Sequence, residues 1–205
     1  MPILGKTKRE VLTEFRMAEL VAAARKVFSE RGFHNATVED IARLAGVAKG
    51  TIYLYYPSKR AAYWAALEQG ILAMLEATRR SMEAAGTVEA KIRTFIECKL
   101  SYCEQNRDFF KIYYSEFGHS LTHPARLSKQ FGELYIQQAE ILKAVLEEGI
   151  RNQEIRPVPA EAAAFAICDL TRSMATQRVL GWDQGDPRDA VNFIFELVWK
   201  GLGPG

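Results

Sequence analysis

Residues 46–63 read GVAKGTIYLYYPSKRAAY and hold four of the chain's eight tyrosines. Lys49, Lys59 and Arg60 fall in the same stretch, and Gly50 sits just inside what the spacing predicts to be a helix over 49–55. A short helix built only to fill a core would carry leucines and avoid the glycine, which costs helix stability. Pro57 closes the helix, because proline cannot continue the hydrogen-bond ladder. Just upstream, Thr37 reads as an N-cap with Asp40 three residues on. Val38, Ile41, Ala42, Leu44 and Ala45 then give a second short helix one apolar face, and Gly46 ends it. Two short helices joined by a tight glycine turn match a helix-turn-helix. Ala42 is small where the helices must cross, and Val47 and Ile52 supply the buried contacts that fix their angle.

In that architecture the second helix lies in the DNA major groove, its N-terminal residues facing base edges. Gly50 then lets the helix approach the sugar-phosphate closely. Lys49 and Thr51 are donors to phosphate or to a base acceptor, and Tyr53 and Tyr55 bond phosphates or pack on a thymine methyl. Lys59, at the start of the next helix, is expected to grip the flanking backbone, while Ile52 and Tyr56 point inward. Charge distribution agrees: residues 1–60 hold eleven Lys/Arg against six Asp/Glu, a net of +5, within a chain whose total is only +2. A basic first third suggests a local polyanion-binding module.

The run from Ala22 to about Leu67, AAARKVFSERGFHNATVEDIARLAGVAKGTIYLYYPSKRAAYWAAL, closely resembles the DNA-binding domain of TetR/AcrR-family regulators. Its A-x-x-x-F-x-x-x-G-F-x-x-x-T, T-V-x-x-I-A-x-x-A-G-V and K-G-T-x-Y-x-Y-[FY]-x-S-K patterns carry the resemblance. Ala48 stands where serine or threonine is frequent, and Tyr56 where phenylalanine is. Residue by residue, the resemblance implies DNA contacts from Thr37, Lys49, Thr51, Tyr53, Tyr55 and Lys59, with Leu54 on a base methyl. It also implies a C-terminal domain with a small-molecule pocket, and a homodimer paired through its last two helices.

The rest of the chain reads as helices. There is almost no strand signal, and the predicted helices run 13–31, 38–45, 49–55, 59–84, 88–105, 107–119, 124–152, 160–180 and 187–201. The expected fold is all-α, about nine helices. An N-terminal three-helix DNA-binding domain spans 1–58 (core 13–58, with 1–12 a flexible arm carrying Lys6, Lys8 and Arg9). A larger ligand-binding and dimerisation domain spans 59–205. Val191, Ile194, Phe195 and Val198 form one stripe, and Ile167, Leu170 and Met174 lie on another; each is read as dimer face or internal core. FFKIYYSEF (109–117) concentrates Phe109, Phe110, Tyr113, Tyr114 and Phe117, candidates for a pocket wall or for plain core. Arg172 and Arg178 are anion partners for a ligand, or ion-pair partners for Asp169 and glutamates, the second reading being favoured. Aromatics with arginine suit an amphipathic effector with an acidic head, such as a fatty acid or acyl thioester.

Other chemistry is thinly represented. His119 and His123, with Glu116, have metal-ligand spacing, but Pro124 interrupts the helix they would need, and no metal or other cofactor is expected. Cys98, Cys103 and Cys168 fit neither a disulfide framework nor a C-x-x-C site. No G-x-S-x-G, P-loop or dinucleotide turn is present, which argues against an enzyme. A helical enzyme with a DNA-binding head and a constitutive architectural protein remain the rivals. No apolar run is long enough for a membrane span, and the N-terminus lacks a signal-peptide pattern, so the expected compartment is the cytoplasm.

Overall fold

The computed structural model describes residues 7–122 and 129–203. Among these the chain forms nine helices and no strand: α1 (Lys8–Asn35), α2 (Val38–Leu44), α3 (Lys49–Tyr55), α4 (Lys59–Glu83), α5 (Val88–Gln105), α6 (Arg107–Thr122), α7 (Lys129–Arg151), α8 (Ala160–Val179) and α9 (Pro187–Leu202). Their starts are set by short polar side chains. Thr7, Thr37, Ser58 and Thr87 each accept a backbone N–H three residues on, from Glu10, Asp40, Ala61 and Ala90. At Thr7 and Thr37 the acid at that position bonds back to the cap, a reciprocal box.

That box starts α1 earlier than the expected residue 13. Residues 8–12, read as part of a flexible arm, are helical, while residues 1–6, Lys6 included, lie outside the described residues. Phe15 is 64% exposed, and burial on α1 begins at Leu20. A helix buries its stripe only where another element lies against it. The helical run breaks at Gly32 (φ 70°), just past the expected end at residue 31.

α1, α2 and α3 form a compact head, and α4 leads from it into the remaining helices. Gly46 turns α2 into α3 at φ 66°, a conformation cheap only for glycine. Beyond the head, α5 runs through the middle, packed by α4, α7, α8 and α9. Its stripe of Ile92, Phe95, Ile96, Leu100 and Cys103 is buried.

The last two helices correct the expected dimer stripe. Val191, Ile194, Phe195 and Val198 are 1–7% exposed and face the chain's own core, as does Ile167 at 3%. What α8 and α9 leave outside is Leu170 (38%), Phe193 (61%) and Leu197 (52%), with Met174 half-buried. α9 is apolar on two sides, and the fuller stripe goes to the internal core, where it removes more surface from water. Among the described residues no helix is long and apolar enough to cross a membrane.

Candidate functional site

The head presents α3 as a helix with one anchored and one open side. Ile52 (1% exposed) and Tyr56 (6%) are buried, and the Tyr56 hydroxyl donates to the Met17 carbonyl at 3.4 Å. Lys49, Gly50, Tyr53 and Leu54 face outward, Leu54 at 82% exposure and Tyr53 at 45%. Thr51 is half-buried, and Tyr55 is half-buried and packs against the core, so its ring has less freedom to meet a partner than that of Tyr53. No side chain caps the N-terminus of α3, and nothing lies within 4 Å of where a Cβ on Gly50 would stand.

Two helices set the pose of α3. Thr37 caps α2; its hydroxyl donates to Asp40 at 2.8 Å and accepts the Asp40 amide at 3.1 Å. Arg31 and Arg43 also reach Asp40, at 3.1 and 3.4 Å. The Thr37 hydrogen bonds, with the two arginines, hold the Asp40 carboxyl below its usual range. Lys49 pairs with Glu39 of α2 and lies 6.0 Å from the centre of the Tyr53 ring. The hydrogen bond between them raises the lysine and lowers the glutamate relative to their ordinary values. Both partners are exposed, and such pairs are weak enough to exchange for a phosphate.

Lys59 departs from expectation. Its ammonium donates to the carbonyls of Phe33 (2.7 Å), His34 (3.2 Å) and Ala36 (3.0 Å) and lies 4.6 Å from the centre of the Phe33 ring. These carbonyls end α1 and lack helical partners of their own. In this structure Lys59 ties the head to α4, and a phosphate could bond it only by displacing a carbonyl.

Contacts that the sequence did not reveal link the head to α6. Arg25 pairs with Asp108 at 2.9 Å, and Tyr63, wedged edge-on between Phe28 and Phe33, donates to Glu116 at 3.2 Å. α6 therefore touches the head directly at Asp108, and at Glu116 it holds Tyr63 of α4, which packs on Phe28 and Phe33 of α1.

The aromatic run on α6 divides between core and cavity. Phe109 is fully buried against α4 at Gly70. Phe110, Tyr113, Tyr114 and Arg172 line a cavity of about 10 Å³ among α4, α5, α6, α7 and α8. Phe117 does not line it; the Arg172 guanidinium stacks on its ring at 3.8 Å and pairs with Asp169 at 2.7 Å. Arg178 is a correction to the expected ligand set. It is buried on Glu104 (2.5 Å), Asp183 (3.0 Å) and the Gly185 carbonyl (3.1 Å), fastening the turn after α8. Two further wall residues, Lys99 and Gln138, went unread in the sequence. Their signal was there: each falls on the apolar stripe of its helix, Lys99 after Phe95 and Ile96, Gln138 between Leu134 and Leu142.

Burial pushes the Cys103 thiol up to about 12, and none of the three cysteines is in a disulfide. Of the His119/His123 pair, His123 lies outside the described residues and the His119 side chain is not described. Among the described residues no cluster of histidine, cysteine or acids is placed to hold a metal.

Two family models match the chain: bacterial regulatory proteins, tetR family, over residues 20–62, and the tetracyclin repressor-like C-terminal domain over residues 85–176. The Fatty acid metabolism regulator protein of Bacillus subtilis (strain 168) is 27% identical over 90% of this chain and 94% of that protein. Among solved structures, the transcriptional regulator FadR from Bacillus subtilis in complex with stearoyl-CoA superposes with a TM-score of 0.73. It is 24% identical, covering 88% of this chain and 96% of that one. A regulator from Saccharomonospora viridis in complex with choline has a TM-score of 0.81 at 16% identity, over 94% of this chain and 100% of that one.

Proposed function

Because the chain belongs to the TetR family of bacterial transcriptional regulators, we propose that it is a ligand-responsive repressor acting in the cytoplasm. As a homodimer it grips a pseudo-palindromic double-stranded DNA operator, and it lets go when a small, mainly apolar effector enters the helices beyond α3. In this division residues 1–58 carry the DNA function, and residues 59–205 carry the effector and dimer functions. The observation that carries the reading is the outward side of α3. Lys49, Gly50, Tyr53 and Leu54 stand open over an anchor of Ile52 and Tyr56, with Thr51 and the capped Thr37 beside them.

The exposed apolar residues Leu170 on α8 and Phe193 and Leu197, one turn apart on α9, support a second copy docking on these helices, since exposed large apolar side chains that form a patch mark interaction surfaces. Relatives support the effector class: one regulates fatty acid metabolism, and one was solved with stearoyl-CoA. α6 supplies the link, with Phe110, Tyr113 and Tyr114 on the cavity, Asp108 on the head and Glu116 on Tyr63 of α4. An effector shifts the equilibrium only by its difference in affinity between DNA-competent and released states.

Selection from random duplexes by the purified protein tests this reading. It should enrich an inverted repeat whose half-sites lie roughly one helical turn, ~34–36 Å, apart. Affinity for that site should fall steeply with salt, with a log–log slope of about −0.9 per phosphate neutralised. Lys49→Ala and Tyr53→Phe should each weaken it roughly tenfold, the scale of one hydrogen bond to a charged group. No enrichment, or wild-type affinity in both variants, would refute the assignment of α3.

Gly50→Ala separates folding from contact. Alanine is the better helix former by up to about 1 kcal/mol, and the added methyl meets open space. The melting temperature should hold or rise slightly while operator affinity drops roughly tenfold, because the methyl stands where the DNA backbone approaches. Unchanged affinity would show that the DNA backbone does not approach at Gly50.

A further inference from the structure

Lys99 is 8% exposed at the middle of the C-terminal helices and, among the described residues, has neither a hydrogen bond nor an ion pair. Its only contact of that kind is with the Phe95 ring on its own helix, at 5.3 Å. The other buried charges are matched: Asp40 by Thr37 and two arginines, Arg178 by Glu104 and Asp183. Among the described residues no fully buried side-chain nitrogen or oxygen lacks a partner, so the Lys99 ammonium keeps some accessible surface, at the cavity it lines. Held there without a counterion it is still costly, and a protein built only for stability would place a methionine there. Burial accordingly pushes the Lys99 ammonium below its ordinary value.

The surroundings do not supply the missing counterion. Asp169 is the carboxylate nearest in effect, and it already accepts from Arg172 and from the Tyr135 hydroxyl, each at 2.7 Å. Cys168 is a buried thiol whose own ionisation burial opposes. Lys99 instead lines the small cavity together with Gln138 and Tyr113. The Gln138 amide donates to the Tyr113 oxygen at 3.4 Å, which leaves the Tyr113 hydroxyl proton to donate elsewhere. Two donors, an ammonium and a phenol, thus border a space of about 10 Å³, room for roughly one water; the Arg172 guanidinium on the same wall is already held by Asp169 and the Phe117 ring.

We propose that this cavity receives the carboxylate of the effector, with Lys99 as its counterion and Tyr113 as its second donor. The inference rests on the effector-binding reading above and names the chemical class. One ammonium and one phenol suit a singly charged carboxylate; a phosphate brings more charge and more oxygens than they satisfy. The ligand's apolar part lies against Phe110 and Tyr114. Since the cavity has room for only about one water, those α6 side chains must shift to admit the ligand. α6 also holds Arg25 and Tyr63 of the head and α4, so the entry of a carboxylate acts on the element that the DNA-binding head leans on.

The test uses full-length protein and two acids, decanoate and 4-phenylbutyrate, each beside its alcohol and its coenzyme A thioester, with binding followed by calorimetry. At least one acid should bind roughly 10- to 100-fold tighter than its alcohol, the scale of a charge-assisted hydrogen bond. Lys99→Met should abolish that preference while its melting temperature holds or rises, a combination that a merely structural lysine would not give. Tyr113→Phe should reduce the preference without abolishing it. The proposal is overturned if acid and alcohol bind alike, if neither acid binds at millimolar concentration, if the thioesters outbind the acids, or if Lys99→Met binds acid as the wild type does. Release of the selected operator is read in parallel. Operator release by alcohol or thioester alone rejects the carboxylate and keeps the repressor. Failure to bind DNA at all rejects the repressor, and calorimetry still judges the cavity.

Discussion

Phe193→Asp should give a folded monomer that has lost at least roughly 100-fold in operator affinity, since two linked heads exceed one by about 10²–10⁴. Phe193 is 61% exposed in the single chain, so the aspartate costs the chain's own core little. In the proposed dimer the same side chain is covered by the partner, and an unpaired carboxylate there is expensive. Leu197→Asp, one turn along, should behave alike, whereas Ile194→Asp should unfold the protein, because Ile194 is 1% exposed. Sedimentation or native mass spectrometry checks the assembly, and circular dichroism checks the fold. A Phe193→Asp protein that stays dimeric would move the interface elsewhere.

Gly70→Ala should lower the melting temperature by roughly 5–10 °C. A Cβ at Gly70 would stand 2.2 and 2.3 Å from two ring carbons of Phe109, which is fully buried and cannot swing away. Overpacking of this kind costs about 1–3 kcal/mol, and each kcal/mol moves the midpoint of a chain this size by about 2–4 °C. The substitution separates α4 from α6, so effector response should suffer with stability. Adding Phe109→Leu opens space beside the new methyl, and the double variant should recover part of the loss, which a double-mutant cycle reads directly. An unchanged melting temperature in Gly70→Ala would mean that the two helices do not approach this closely.

The same substitution thus has opposite expected effects at two glycines. At Gly50 it meets open space and spares the fold; at Gly70 it meets a buried ring. Both glycines lie within helices; the motif around Gly50 marked it as open, but nothing in the sequence around Gly70 showed that a buried ring would meet it. Across the molecule, what could be read in advance was local. The cap at Thr37, the positive φ at Gly46, the stop at Pro57 and the inward Ile52 and Tyr56 follow from neighbours within a turn or two of chain. So do the all-helical class and the outward Lys49, Tyr53 and Leu54, because helical periodicity assigns a residue to a face once one face is known to be buried.

What failed was long-range. Lys59 turned from the expected phosphate to carbonyls more than twenty residues away, and the stripe on α9 went to the internal core, whereas Arg178 took the favoured of its two readings, an ion pair, with Glu104 as the partner. Residue spacing by itself determined that this chain is helical and that its early helices form a helix-turn-helix. Only tertiary structure decided which of two apolar faces of α9 stays outside, which aromatics of α6 reach a cavity, and that Lys99 is buried without a counterion. Periodicity tells which residues share a face; only packing tells what that face meets.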